Sequence, residues 1–396
     1  MPTLSPRIQN IVTGEDDGWG VQERAREMAV AGRDDIILLT MGDHDFPTAM
    51  PIRNACVAAL AGGETGYGSI HGILPLREAI AARGRAAHGI KIDPATIVTS
   101  MGGQAALFAA AMACLDPGDE AIVIEPYYAT YEQTIRAAGG VPVTVQTRAD
   151  DGFQPDADTL RAAITPRTRM ILCNSPNNPT GAVYTRAAME GIAALCIEHD
   201  LWLVSDEVYH SQVYGADHFS PASLPGMAAR TLIVDSMSKS HAMTGWRAGW
   251  LICPTAEMAE CVIDLFLTSA YGIALFIQRA MHAALAGGAE PEQAIADRYR
   301  RRRDHAVAAL STSSRLRIHP PDAAMYILID LRHFVDDAER FAYALLAETG
   351  VAVMPGDSFG PSAAGHIRIS LTADDDRLIE ACTRIAGFAD TWSNTA

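Results

Sequence analysis

Lysine is scarce in this chain, and one of its lysines sits where reactive groups gather. Of thirty-one basic residues only Lys91 and Lys239 are lysine. Lys91 lies in the polar turn G-I-K-I-D-P and reads as a surface residue. Lys239 lies in S-M-S-K-S-H-A-M-T-G-W-R-A-G-W, residues 236–250, flanked by Ser236, Ser238 and Ser240, with Arg247 eight residues on. A guanidinium keeps its proton in any protein, whereas a partly desolvated amine can shed one and attack a carbonyl. Two hydroxyls and an arginine around such an amine would also form an anion cup beside a nucleophile. Three further stretches carry comparable chemistry. In L-W-L-V-S-D-E-V-Y (201–209) Asp206 ends an apolar run, where a carboxylate is costly unless it meets a cation or a donor. A protonated ring nitrogen would be such a partner, and a helix N-cap at Ser205 or Asp206 is the structural alternative. T-S-M-G-G-Q-A-A-L (99–107) runs from a strand through Gly102 and Gly103 into a helix, whose free N–H groups suit a phosphate. N-S-P-N-N-P-T-G (174–181) builds a rigid turn that could present the Asn178 amide.

These residues need a frame. Apolar runs at 96–100, 120–125, 141–145, 169–174, 201–206 and 231–236 read as strands buried on both faces. Helical patterns lie between them, for example 104–115 and 186–199, and the alternation predicts a doubly wound α/β sheet. In such sheets ligands gather at the carboxyl ends of the strands, where all four stretches fall. From about residue 280 the texture becomes α+β, with a long charged helix over 291–310 and short strands M-Y-I-L-I-D and H-I-R-I-S. The first forty-odd residues hold a helix (21–31) and a short strand (36–39), too little to fold alone. The expected division is a large α/β domain over 46–280 and a smaller α+β domain from 1–45 and 281–396. The arginine run 300–303, flanked by Asp297 and Asp304, reads as a solvated or domain-bridging helix face.

The net charge of −16 argues against nucleic acid or an anionic membrane as partner. Seven scattered cysteines without a C-x-x-C or zinc spacing point to a reducing compartment and to no metal centre. The i,i+4 pair Asp206 and His210 has no third ligand in view. The N-terminus carries no signal pattern, and no apolar run is long enough to span a bilayer, so the expected location is cytoplasmic.

N-N-P-T-G, S-D-E-V-Y and S-M-S-K-S-H-A-M-T-G-W-R-A-G, in this order and spacing, resemble the class I/II aminotransferases of the aspartate aminotransferase family, fold type I of the pyridoxal-phosphate enzymes. The likeness runs from L-T-M-G-D-H-D-F-P (39–47) to H-I-R-I-S (366–370). It implies pyridoxal 5'-phosphate as cofactor and transfer of an amino group from an L-amino acid to a 2-oxo acid by a ping-pong route. By the resemblance, Lys239 forms the internal Schiff base and then shuttles a proton. Asp206 pairs with the pyridinium nitrogen, Asn178 and Tyr209 reach the phenolic oxygen, and Tyr128 stacks on the ring. Gly103, Gln104, Ser236, Ser238 and Arg247 hold the phosphate, joined by Tyr67 from a second subunit of a homodimer. Arg368 grips the substrate carboxylate, with Gly42 adding a backbone contact. Two positions depart from the family pattern. Gln104 stands where some aspartate-specific members have a lysine for a distal carboxylate, and D-H-D places His44 near the substrate entrance. A carbon–sulfur β-lyase, or another elimination or decarboxylation enzyme on the same scaffold, is the alternative activity.

Overall fold

The computed structural model describes residues 2–12 and 19–394, so residues 1 and 13–18 of the segment assigned to the smaller domain, and 395–396 at its other end, lie outside the described residues. Thirteen strands fall along the described chain: β1 (Ile37–Leu38), β2 (Ile97–Met101), β3 (Glu120–Ile124), β4 (Val141–Val145), β5 (Thr168–Asn174), β6 (Trp202–Asp206), β7 (Thr231–Ser236), β8 (Ala248–Ile252), β9 (Arg317–Ile318), β10 (Tyr326–Asp330), β11 (Val351–Ala352), β12 (Met354–Pro355) and β13 (His366–Ser370).

Seven of them form one sheet in the order β2-β8-β7-β6-β5-β3-β4. Neighbours from β7 to β4 run parallel, and β8 runs antiparallel to both β2 and β7. The six expected strands appear within a residue of their expected limits, although β4, at the sheet's edge, is partly exposed rather than buried on both faces, with Val141 46% exposed. Alternation shows only in what each side chain meets. Ala121 and Val123 pack under the helices Gly103–Cys114 and Tyr131–Ala138, whereas Ile122 and Ile124 face the helix Arg186–Glu198. Strand β8, A-G-W-L-I, was not anticipated. It begins inside the lysine signature, and its Trp250 and Leu251 are buried on opposite faces.

β12-β13-β10-β9 make a second sheet, antiparallel throughout. β1 pairs in parallel with β11, and the N–H of Ser370 donates to Leu39 O at 2.8 Å, so the N-terminal strand is stitched to the C-terminal region. Val21, Ala25, Ile37 and Leu39 share one core with the helices Ala338–Thr349 and Asp375–Thr391. The charged helix Glu290–Leu310 is not uniformly solvated. Arg302 is 3% exposed, its guanidinium held by Asp45 at 2.7 Å and Asp375 at 2.7 Å. Residue 280 falls inside the helix Leu275–Ala286, which packs on Met50–Ala61 and Leu74–His88. Among the described residues no helix is long and apolar enough to cross a membrane.

Candidate active site

The carboxyl ends of β5, β6 and β7 open into a cavity of about 410 Å³, closed on the far side by residues 40–43 and by the second sheet. β6 ends in Asp206, 4% exposed, and neither Asp206 nor Ser205 caps a helix, since the chain turns on through 207–211 without one. The Tyr131 hydroxyl donates to Asp206 Oδ2 at 2.6 Å and the Val208 N–H to Oδ1 at 3.3 Å. Burial pushes this carboxyl up to about 7 against the pull of those two donors. An acid so placed takes its charge readily when a cation arrives.

β7 ends in Ser236, whose Oγ accepts from the Ser238 N–H at 3.3 Å and starts the single turn Met237–Ser240. That turn carries Lys239 into the cavity, where its ammonium donates to Gly42 O. Gly42 has to be glycine, because a Cβ there would overlap the Tyr326 hydroxyl and lie 3.2 Å from Lys239 Nζ.

Between β2 and the helix Gly103–Cys114, Gly102 takes φ +78°, a conformation in which a side chain is strained. A Cβ on it would lie 2.6 Å from Arg247 Nη2, so the guanidinium is seated against bare backbone. Arg247 itself takes φ +55°, and its guanidinium donates to Thr244 O at 2.8 Å and Met101 O at 3.3 Å. Gly103 opens the helix with Ser236 beside it, so free helix N–H groups, two serines and an arginine converge on one corner. Gln104 lines the same corner, but its amide is engaged by Thr130 at 2.8 Å and Thr134 at 2.8 Å. An anion here meets the backbone at residue 104 before its side chain.

The opposite corner holds Arg368, 3% exposed on β13. Its Nη1 donates to Asn178 Oδ1 at 3.1 Å and its Nη2 to Thr40 O, while Nε has no partner. The guanidinium lies over the Tyr326 and Phe359 rings, with centroids at 4.5 and 4.7 Å. No carboxylate pairs with it among the described residues, and burial lowers its hold on the proton. A buried guanidinium with a spare N–H and no counter-charge is a receptor for a carboxylate.

Tyr128 and Tyr209 line the cavity between these corners, and Tyr209 shares a 3.1 Å hydrogen bond with Tyr326. Two residues that position the site carried no signal of their own. Tyr131 is an ordinary aromatic at a helix start. Asn174 Nδ2 donates to Asp206 O at 3.0 Å, and its Oδ1 accepts from the Asn178 N–H at 2.8 Å. Asn174 thereby fixes the turn to the strand end, and only the hydrogen bonds reveal it. Two residues stand elsewhere. Tyr67 is 86% exposed and packs on Tyr271 at 4.9 Å, outside the cavity of its own chain. His44 turns away from the cavity, bonded through Nδ1 to the Tyr299 hydroxyl at 2.8 Å, and burial with nearby Lys239 lowers it to about 4. The Asp206–His210 pair is split, since His210 points to Asp235 at 3.3 Å on the other side of the sheet edge.

Comparison with known proteins places this geometry among relatives. The model of the family described as aminotransferase class I and II matches residues 34–385. The chain is 45% identical over 368 residues to an arginine–pyruvate transaminase of Pseudomonas aeruginosa, covering 93% of each. It is 40% identical to an aspartate/prephenate aminotransferase of Thermus thermophilus, covering 98% of each. Among solved structures, an aspartate aminotransferase of Thermotoga maritima superposes with a TM-score of 0.92 at 34% identity, covering 98% of this chain and all of that one.

Proposed function

This chain belongs to the class I and II aminotransferases and is a transaminase, and on that premise we propose that its cavity binds pyridoxal 5'-phosphate beside an α-amino acid, with Lys239 as the reacting amine. The elimination and decarboxylation reading finds no support among the named relatives. The observation that carries the proposal is the pairing of two unmet needs across one cavity. Arg368 is a buried cation without an anion, and Asp206 is a buried acid without a cation. An amino acid carboxylate at the first and a protonated ring nitrogen at the second satisfy both.

When bound, the cofactor supplies an electron sink for the pair released as the Cα–H bond breaks. The chain's residues do the rest. The helix start at Gly103, the residue 104 backbone, Ser236, Ser238 and Arg247 receive the phosphate in the corner where their donors converge. Asp206, steadied by Tyr131 and Asn174, holds its charge against the ring nitrogen. Tyr128 covers a ring face, and the Asn178 amide and Tyr209 hydroxyl reach the ring's phenolic oxygen. Arg368 orients the substrate by its carboxylate so that Cα–H stands toward Lys239, whose amine takes that proton and returns it one position along. In the cofactor-free protein Gly42 O accepts a hydrogen bond from the same amine. Arg368 reads only the group common to all α-amino acids. Gln104, with its amide tied to two threonines, offers no cation to a distal carboxylate. We read the site as one for side chains other than acidic ones, among them the basic class named for the arginine–pyruvate relative. Residues 46–280, continued to the end of the helix at 286, form the larger of two units in this reading, and the rest of the chain closes the site from above. A second subunit contributes Tyr67.

The test is spectral. Cofactor-loaded protein should show visible absorbance that a panel of single amino acids converts, each to its own extent, and Lys239→Ala should lack both the band and the conversion. A Lys239→Ala protein with the wild-type spectrum would overturn the assignment.

A further inference from the structure

Beneath the sheet edge, away from the cavity, lies a group of side chains that the transamination reading leaves unused. His88 ends the helix Leu74–His88, Glu207 follows β6, and His218 lies in the loop before Pro221–Ser223. Their side chains are 4%, 0% and 4% exposed. Glu207 Oε2 lies 3.4 Å from His88 Nε2 and 3.4 Å from His218 Nε2, and one ligand atom from each residue falls within 4.8 Å of the others.

The geometry points to a site for one divalent transition cation of the zinc type, ligated by His88 Nε2, Glu207 Oε2 and His218 Nε2. Two observations carry it. First, 3.4 Å is long for a charge-assisted N–H···O⁻ bond, which closes to about 2.7–2.9 Å. It matches the edge of about 3.4 Å that a tetrahedral ion spans with bonds of about 2.1 Å. Second, the two oxygens of Glu207 have separate tasks. Oε1 accepts from Ser205 Oγ at 2.8 Å and Ser220 Oγ at 2.7 Å, which fixes the carboxylate and leaves Oε2 turned to the two imidazoles. The surrounding charges do not fill the site. Arg83 is taken up by Glu292 and Asp235, and His210 also faces Asp235. A water would complete the fourth position. The ion would tie a helix end, a surface loop and the residue next to Asp206 into one unit, which makes it a structural clamp behind the catalytic acid.

Untagged, cofactor-loaded protein, stripped by chelator and dialysed against Zn²⁺, should retain about one equivalent per chain by elemental analysis, with its melting temperature raised. Dialysed against Co²⁺, it should show the visible ligand-field band of a tetrahedral nitrogen–oxygen site. His218→Ala and His88→Gln should each lose the band and weaken zinc binding at least about tenfold. Their metal-free melting temperatures show whether the variants are folded. Wild-type protein that takes up no zinc, whatever the variants do, overturns the proposal. So does uptake that survives in both variants, which assigns the ion to Cys261 or another surface group.

Discussion

Asp206 shows how one residue carries two opposed energies. With its carboxyl raised from 3.8 to about 7, the neutral form is the one that folding favours in the cofactor-free protein. The stability associated with that form is complete below about 4 and disappears as pH rises through about 7, because the buried group must then ionise. Cofactor-free Asp206→Asn should therefore match the wild type near pH 4 and exceed it at pH 8 by on the order of 4 kcal/mol. Urea titrations at the two pH values measure the gap, and equal stability at pH 8 would contradict the buried-acid account. In the loaded protein the order reverses, since the amide has no charge to offer the ring nitrogen. At this scale the sequence was legible where a residue type was chemically committed. A lone lysine between serines and an acid closing an apolar run stand out, whereas Tyr131 and Asn174 do not. Tyrosine and asparagine serve many structural ends, and their part here lies in one hydrogen bond of 2.6 Å for Tyr131 and two of 3.0 and 2.8 Å for Asn174.

Helices and strands deliver these groups through a few exacting backbone positions. Gly102 combines φ +78° with the Arg247 guanidinium where its Cβ would lie. Gly102→Ala should cost about 1–2 kcal/mol in urea unfolding and, by displacing Arg247, weaken cofactor binding about tenfold, read by fluorescence titration. Gly387→Ala is the contrast. That glycine sits inside the helix Asp375–Thr391 with nothing within 4 Å of the place a methyl group would take, so the change should add about 0.5–1 kcal/mol. Equal effects at both positions would mean that backbone conformation and space at Gly102 do not matter. Most of the parallel strands were readable because burial leaves few polar residues in them, and β4, at the exposed edge, because its V-P-V-T-V is rich in β-branched residues. β8 escaped because its A-G-W-L-I begins inside a motif read for its chemistry, and nothing local marks a strand as antiparallel.

Across the whole molecule the active corner depends on distant segments meeting. Arg302 gathers Asp45 and Asp375, and Arg368 reaches back across the chain to Thr40, so the roof of the cavity is assembled from both ends of the sequence. In the proposed dimer Tyr67, exposed on its own subunit, completes a neighbour's phosphate site. Mixing inactive Tyr67→Ala and Lys239→Ala proteins under exchange conditions should then restore up to about a quarter of wild-type sites, measured as recovered turnover. Mixtures no more active than their components would place Tyr67 outside the site. The sequence by itself determined six of the seven strands of the main sheet and the family, because apolar strands and signature motifs leave local marks that survive without coordinates. The tertiary structure alone decided which groups stand unpaired. It set Arg368 without a counter-charge, turned His44 away from the cavity onto Tyr299 and drew His88, Glu207 and His218 together, since distance between remote residues is written in no local pattern.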